Sequence, residues 1–184
     1  MITFSQYINE VNNKMMQYMQ SLVPNWPPYI VSDLLYKGFS KQSPNQSTVN
    51  PQVEAHEFLN NFCKDFGYND PKQMQWNLQN ITITKDVFDD DTQKRMNERG
   101  MGKSNPYGVP NDVQRHQGAS TRIQKNPNIR VPGYVGAASS EPIILVKWKN
   151  GKYALLEGWH RTIQMILAHP EGFQQSAYVL NANK

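Results

Sequence analysis

The chain has 184 residues, of which 38% are hydrophobic and 11% aromatic, enough for one domain with a core or for a small domain with a helical extension. Its net charge of +4 permits an anionic partner, such as a nucleotide or nucleic acid, without requiring one. The single cysteine, Cys63, excludes a disulfide framework, and no Cys/His spacing indicates zinc. We expect a buried structural cysteine.

Membrane and secretory signals are not found in the sequence. It contains no run of about 18 apolar residues, and its N-terminus lacks a basic segment followed by an apolar one. We therefore expect no membrane association. The Asn- and Gln-rich composition suggests a bacterial or bacteriophage protein, located in the cytoplasm of the bacterial cell or the infected host.

Residues 1–75 are expected to form a helical N-terminal region. Apolar residues recur at spacings of three and four over 3–22, which predicts a helix that ends at the Pro24–Pro28 segment. Residues 29–39 form a second apolar segment, either a short helix or a helix after an extended stretch. The polar residues 40–50 are expected to form a loop.

A third helix is predicted to begin at Pro51. Asn50 precedes it as a candidate N-cap, and Gly67 follows its last turn. Its predicted apolar face consists of Val53, Leu59, Phe62, Cys63 and Phe66.

Beyond residue 76 the pattern changes to that of a sheet. A strand is predicted at about 77–84, followed by a turn and a short charged helix within 85–100 that an Asp caps. Asp89, Asp90 and Asp91 could bind Mg²⁺ or Ca²⁺. Their spacing does not match an EF-hand, and capping of the helix with favourable charge near its dipole is the simpler interpretation.

Residues 100–140 are rich in Gly, Pro, Ser and Asn and carry little periodicity. A long segment of this kind is either a functional binding loop or a disordered surface excursion. Its cationic side chains are candidate contacts to a phosphate-bearing ligand: Lys103, Arg115, Arg122, Lys125 and Arg130.

The last part of the chain predicts a hairpin, a helix and a strand. EPIILVKW, from Glu141, reads as a buried strand, Asn150-Gly151 as a hairpin turn and KYALLEG as the returning strand. A helix is expected over 160–168, with Ile163, Ile166 and Leu167 facing inward and with His169-Pro170 at its end. A final strand is predicted at 176–182.

The junction LLEGWHRT joins that strand to that helix. Gly158 permits a bend, and the first amides of the helix lack intrahelical partners, which makes an anion site. Arg161, Thr162 and His160 could bind phosphate oxygens, and Glu157 could act as a base or hold Mg²⁺. In the alternative interpretation Glu157 caps the helix, Trp159 packs and Arg161 is solvated.

The segment EPIILVKWKNGKYALLEGWHRTIQMILAH resembles the core of the ParB/sulfiredoxin superfamily. The matching features are Pro142, the Asn150–Tyr153 hairpin, and Gly158 followed by His160 and Arg161 in a Gly-x-x-Arg motif. LQNITIT could correspond to the family's first strand. The resemblance covers about thirty residues around 141–169 and implies an α+β fold: a small mixed sheet with flanking helices over 76–184, plus the helical N-terminal extension.

The resemblance also implies a function. It assigns Gly158, Trp159, His160, Arg161 and Thr162 to phosphate binding and Glu157 and His160 to catalysis, with a nucleotide triphosphate and Mg²⁺ as cofactors. Sulfiredoxins carry a reactive Cys where this chain has Trp159, so sulfinic acid reduction is not expected. No helix-turn-helix follows the motif, so the DNA binding of partition proteins is not expected either.

Three functions remain open at this point. The first is nucleotide binding with Mg²⁺-dependent phosphoryl transfer or hydrolysis. The second is a nucleic-acid-binding or nuclease module of a phage or bacterial DNA-processing system. The third is an interaction protein that keeps the fold without catalysis, a reading that Trp159 favours.

Overall fold

The computed structural model describes residues 14–42, 51–97 and 141–184. Contacts divide the chain into two compact units: the first extends to Trp76 and includes Leu180–Lys184, and the second is Asn77–Val179. Helices make up most of the described part of the first unit, and most of a four-stranded mixed sheet belongs to the second. The predicted α+β class is therefore confirmed.

The described part of the first unit contains three helices and a short 3₁₀ turn. Helix α1 covers 14–22; α2 comprises Pro28–Ile30, the π-helical Val31–Tyr36 and Lys37–Gln42; α3 is Pro51–Asp65, and the 3₁₀ turn is Pro71–Gln73. The helical interpretation of 29–39 is confirmed. The predicted helix before residue 14, the loop residues after 42 and the N-cap Asn50 lie outside the described residues.

An aromatic cluster lies in the core of the described part of the first unit. The Trp26 ring is 2% exposed and meets the Trp76 ring edge-on at 5.5 Å between centroids. Its indole Nε1 donates to the carbonyl oxygen of Pro71 at 3.0 Å, which satisfies the polar end of a buried side chain. Phe62 on α3 and Phe66, directly after the helix, extend the cluster, with centroids 5.1 Å apart.

The buried face of α3 agrees with the prediction except at Val53. Ala55, Leu59 and Cys63, each four residues apart, are at most 2% exposed. Val53 was predicted on this face and is 49% exposed, so that assignment is wrong. Two residues correspond to about 200° of helical rotation, which places Val53 opposite Ala55. Gly67 ends the helix region with a φ of 80°, as predicted.

Cys63 is buried, as predicted. Its side chain is 1% exposed. Burial, with a smaller contribution from the charge of Asp70, raises the pKa of the Cys63 thiol to about 11. The thiol is therefore protonated and unreactive near neutral pH.

The sheet has the strand order β1-β4-β2-β3. The strands are β1 (Trp76–Ile83), β2 (Ile143–Lys147), β3 (Tyr153–Glu157) and β4 (Phe173–Asn181). β2 and β3 are antiparallel. In β1 and β4, Asn80 contacts Ser176 and Thr82 contacts Gln174, so the residue numbers run in opposite directions and these strands are also antiparallel. All four predicted strands are confirmed, with β4 beginning before residue 176.

One face of the sheet builds the core of the second unit. β2 lies inside the sheet, and its residues Ile143–Val146 are fully buried. The core cluster combines strand residues and Phe88 with side chains of helices α4 (Asp90–Met96) and α5 (Trp159–Ala168). Its members are Ile83, Phe88, Met96, Ile143, Leu145, Leu155, Trp159, Ile163, Ile166, Ala177 and Val179.

The Asn150-Gly151 pair forms the predicted hairpin turn between β2 and β3. Trp148 N donates to Lys152 O at 2.8 Å, and Gly151 N donates to Trp148 O at 2.9 Å. Gly151 has a φ of 84°, so a three-residue loop ends in a left-handed glycine. The Asn150 side chain accepts from Lys152 N at 3.0 Å and stabilises the turn.

Helices α4 and α5 agree with the predictions except at one residue. Asp89 caps α4 by accepting from Thr92 N at 2.8 Å, as predicted. On α5, Ile163 and Ile166 are buried, whereas Leu167 is 37% exposed, so its inward assignment is wrong. Residue 167 lies about 100° around the helix from 166 and leaves the buried face.

The lengths of the described helices can be compared with the thickness of a membrane. A helix needs about 20 mostly apolar residues to cross a bilayer. Within the described ranges no helix is long and apolar enough to do so.

Candidate functional site

The Gly158 turn, defined as residues 157–162, joins β3 to α5. β3 ends at Glu157 and α5 begins at Trp159, with Gly158 between them in the left-handed region at φ 94° and ψ 19°. Thr162 N donates to Gly158 O at 2.9 Å and closes the first helical turn. The amides of the preceding helical residues have no intrahelical acceptor, and the positive end of the helix dipole lies behind them. The bend predicted at Gly158 is confirmed.

Only glycine fits at position 158. A Cβ there would lie 2.7 Å from Cγ2 of Ile143 and 3.2 Å from Nη2 of Arg161. The first distance is well below van der Waals contact, and the positive φ disfavours any side chain. Ile143 at the start of β2 thus packs directly against the backbone of the turn.

The guanidinium of Arg161 lies inside the protein. Arg161 is 8% exposed, and its Nη2 donates to the carbonyl oxygen of Pro142 at 3.2 Å. Its Nη1 lies 3.7 Å from Oε2 of Glu141, whose side chain is 69% exposed. The alternative interpretation of Arg161 as a solvated residue is therefore wrong. The side chain connects the first turn of α5 to the segment that leads into β2.

Thr162 is the next residue of that turn and is 1% exposed. Its Oγ1 is buried, and among the described residues it has no hydrogen-bond partner. Leaving a buried hydroxyl unsatisfied costs about 1–3 kcal/mol. Side chains on a helix lean toward its N-terminus, so we expect this hydroxyl to lie on the side of the Gly158 turn.

The remaining residues of the Gly158 turn differ in their surroundings. Trp159 is 8% exposed, donates from Nε1 to Leu156 O at 3.2 Å, and has the Arg95 guanidinium carbon 4.5 Å from its ring centroid. This packing agrees with the alternative interpretation of Trp159, and its assignment to phosphate binding stays a prediction. Glu157 is half-buried. The side chain of His160 is not among those that the structure describes, so its assigned role stays a prediction.

The candidate contacts in the long loop stay predictions as well. Lys103, Arg115, Arg122, Lys125 and Arg130 all fall within 98–140, outside the described residues.

Elsewhere in the second unit lies a concave region, the Asp89 cleft, with a volume of about 640 Å³. Its lining residues are Asp89, Asp90, Asp91, Trp148, Asn150 and Lys152. Asp89 Oδ2 accepts from Trp148 Nε1 at 2.6 Å, while Oδ1 caps α4. Both carboxylate oxygens of Asp89 therefore have structural partners, which confirms the capping interpretation of this residue. In the described part of the chain, no group of three or more His, Cys, Asp or Glu residues could hold a metal ion.

Sequence reasoning missed the partners of Arg161. Glu141 and Pro142 were identified only as the start of a strand, yet the carboxylate and carbonyl oxygens of these residues are the groups that the guanidinium meets. An acidic residue directly before an apolar strand is a weak signal for such a contact. The hydrogen bond from Trp148 to Asp89 could not be predicted from the sequence either, because 59 residues separate the two partners.

Comparisons with known proteins add no family assignment. No family model matches the chain, and no curated protein or solved structure matches it either.

Proposed function

We propose that this chain binds the phosphate groups of a nucleotide at the Gly158 turn. The observation that carries the proposal is the Thr162 hydroxyl, buried at 1% exposure and lacking a hydrogen-bond partner in the described chain. A phosphate oxygen would provide that partner. Together with the first amides of α5, which have no intrahelical acceptor, the hydroxyl would give the set of donors that anion sites at helix N-termini use.

The buried guanidinium of Arg161 adds positive charge behind the same turn. Its Nη2 lies 3.2 Å from the position that a Cβ of Gly158 would occupy. A charge held in a poorly solvated position acts on a nearby anion more strongly than a solvated one. Glu141 partly offsets this charge, because its carboxylate lies 3.7 Å away. Arg161 thus supports phosphate binding from within the fold.

The resemblance to the ParB/sulfiredoxin superfamily extends the proposal to a nucleoside triphosphate with Mg²⁺, and to phosphoryl transfer or hydrolysis. Mg²⁺ is commonly held by one or two carboxylates together with substrate phosphates, so a dedicated protein cage is not required. Glu157, one residue before Gly158, is the carboxylate suited to that position or to the role of base. His160 is the second candidate catalytic residue.

The proposal is tested by calorimetric titration with ATP, CTP and GTP in the presence of Mg²⁺. We expect at least one nucleotide to bind the wild-type protein and Thr162→Val to bind it at least about fivefold more weakly, since one hydrogen bond to a charged group is lost. Thr82→Val is the matched control, because Thr82 lies on β1, outside the Gly158 turn. No binding at millimolar nucleotide, or equal losses in both variants, contradicts the proposal.

Nucleic-acid binding is the second candidate, and it would use the same phosphate chemistry with the cationic residues of the 100–140 segment. A mobility shift on single- and double-stranded DNA at increasing salt distinguishes the two functions. Binding to polynucleotide that weakens steeply with salt, without binding of mononucleotide, would favour the nucleic-acid module.

A further inference from the structure

β1 occupies one end of the sheet, and its outer edge lacks a neighbouring strand in the described ranges. The inner edge is held by β4 through Asn80 to Ser176 and Thr82 to Gln174, both at 2.7 Å. β1 is eight residues long, whereas β2 and β3 have five each. With respect to the described residues, the outer edge therefore offers a long row of backbone donors and acceptors.

At the other end of the sheet, the outer edge is covered. β3 is an end strand too, but the segment around α4 covers its outer edge. Phe88 forms a β-bridge with Tyr153, Asp89 N donates to Tyr153 O at 2.9 Å, and Leu155 N donates to Thr92 Oγ1 at 3.3 Å. The fold thus satisfies the outer backbone groups of β3 with its own chain.

β1 also lacks the features that usually block pairing at an edge. Such strands are commonly protected by charged residues, prolines or bulges. The sequence WNLQNITI contains no charged residue, no proline and no glycine. Residues 77–80 are exposed on both faces of the strand, and Leu78 is 58% exposed. The side chains of β1 therefore supply neither the charge nor the proline that commonly blocks pairing at an edge.

We propose that two copies of this chain associate by antiparallel pairing of their β1 edges. An antiparallel pair of identical strands related by a two-fold axis is self-complementary. The absence of charge in β1 removes like-charge repulsion at the contact, although the whole chain carries a net charge of +4. With the axis near Leu78, the two leucines become cross-strand neighbours at about 5 Å, and each covers the other.

The expected association is weak. A contact made by one strand from each copy is smaller than the roughly 800 Å² per partner that stable interfaces bury. We therefore expect a dimer that dissociates in the micromolar range and forms as concentration rises. This inference is independent of nucleotide binding, because β1 is separate from the Gly158 turn along the sheet order.

Sedimentation of the full chain over micromolar to millimolar concentrations tests the proposal. Leu78→Lys and Gln79→Lys each place a charge on the exposed part of β1 and should weaken the dimer by at least about tenfold. Val53→Lys is the matched control, since Val53 is a comparably exposed hydrophobic residue on α3. We expect this control to dimerise like the wild type.

The outcomes are distinct. A concentration-dependent dimer that both β1 variants weaken and the control retains supports the proposal. A wild-type chain that stays monomeric throughout, a dimer that neither β1 variant weakens, or equal weakening by Val53→Lys overturns it. Circular dichroism of each variant establishes that the fold is retained before the comparison is made.

Discussion

Replacing Gly158 with alanine tests the packing of the Gly158 turn, and Gly151 provides a matched control. Both glycines have a positive φ, 94° for Gly158 and 84° for Gly151. Holding an L-residue in this region costs about 1–2 kcal/mol. This contribution should be similar for Gly158→Ala and Gly151→Ala, so a comparison of the two variants removes it.

The two positions differ in the space available for a methyl group. At Gly151 nothing lies within 4 Å of an added Cβ, whereas at Gly158 the Ile143 side chain lies at 2.7 Å. Forcing extra volume into a packed interior costs about 1–3 kcal/mol. We therefore expect Gly151→Ala to lower the free energy of unfolding by about 1–2 kcal/mol and Gly158→Ala by about 2–5 kcal/mol.

Urea denaturation of the wild type and both variants, followed by circular dichroism and tryptophan fluorescence, measures the difference. A larger loss for Gly158→Ala, with unchanged denaturant slopes, is the expected result. Equal losses in the two variants would refute the close contact between Ile143 and the backbone of the turn.

Three further predictions concern buried polar groups. Arg161→Ala should lower the free energy of unfolding by about 1.5–3 kcal/mol, because it removes the charged donor to Pro142 O; unchanged stability in urea would contradict this. Trp148→Phe should cost a similar amount, about 1.5–3 kcal/mol, by removing the donor to the Asp89 carboxylate, and Asp89→Asn in the same background should then cost less than it does alone. Folding raises the Cys63 pKa from 9.0 to about 11, so the unfolded thiol ionises first. Stability should therefore fall as pH rises from 9.0 to about 11, by up to roughly 3 kcal/mol. Denaturation curves at the two pH values should show no such fall in stability for Cys63→Ala. The same pH dependence of stability in the wild type and in Cys63→Ala would contradict the assignment of this effect to the Cys63 thiol.

Local patterns in the sequence were sufficient for most of the described elements. Pro51 and Gly67 correctly bracket α3, and Asn150-Gly151 correctly predicts the hairpin turn. These signals depend on the backbone preferences of single residues. Such preferences are local and do not depend on distant parts of the chain. The bend at Gly158 was predictable for the same reason.

Features that depend on distant partners could not be predicted. Val53 and Leu167 are exposed because the side of the helix that carries them does not pack against the rest of its unit. The three- and four-residue spacing of apolar residues does not reveal this, because a residue at the margin of the buried face fits the same spacing. The inward course of Arg161 depends on the carbonyl oxygen of Pro142, nineteen residues away. Sequence placed this guanidinium beside the Gly158 turn but could not say which way it pointed.

Removing the negative charge beside Arg161 should change the affinity for nucleotide in a direction that can be predicted. Glu141 lies 3.7 Å from the Arg161 guanidinium and is 69% exposed at its side chain. Glu141→Gln removes this negative charge without removing the Arg161 to Pro142 hydrogen bond. If Arg161 supports phosphate binding, the variant should bind nucleotide up to about fivefold more tightly, as expected for an exposed pair. Weaker binding in the calorimeter would contradict that role.

Backbone amide shifts during titration with nucleotide and Mg²⁺ test the phosphate site most directly. Nuclear magnetic resonance of the ¹⁵N-labelled chain should show the largest, saturable changes at the amides of Trp159, His160 and Arg161, where α5 begins. Thr162→Val should reduce the changes at a given nucleotide concentration. Saturable shifts confined to the Asp89 cleft, or no shifts at millimolar nucleotide, would show that phosphate does not bind at the Gly158 turn.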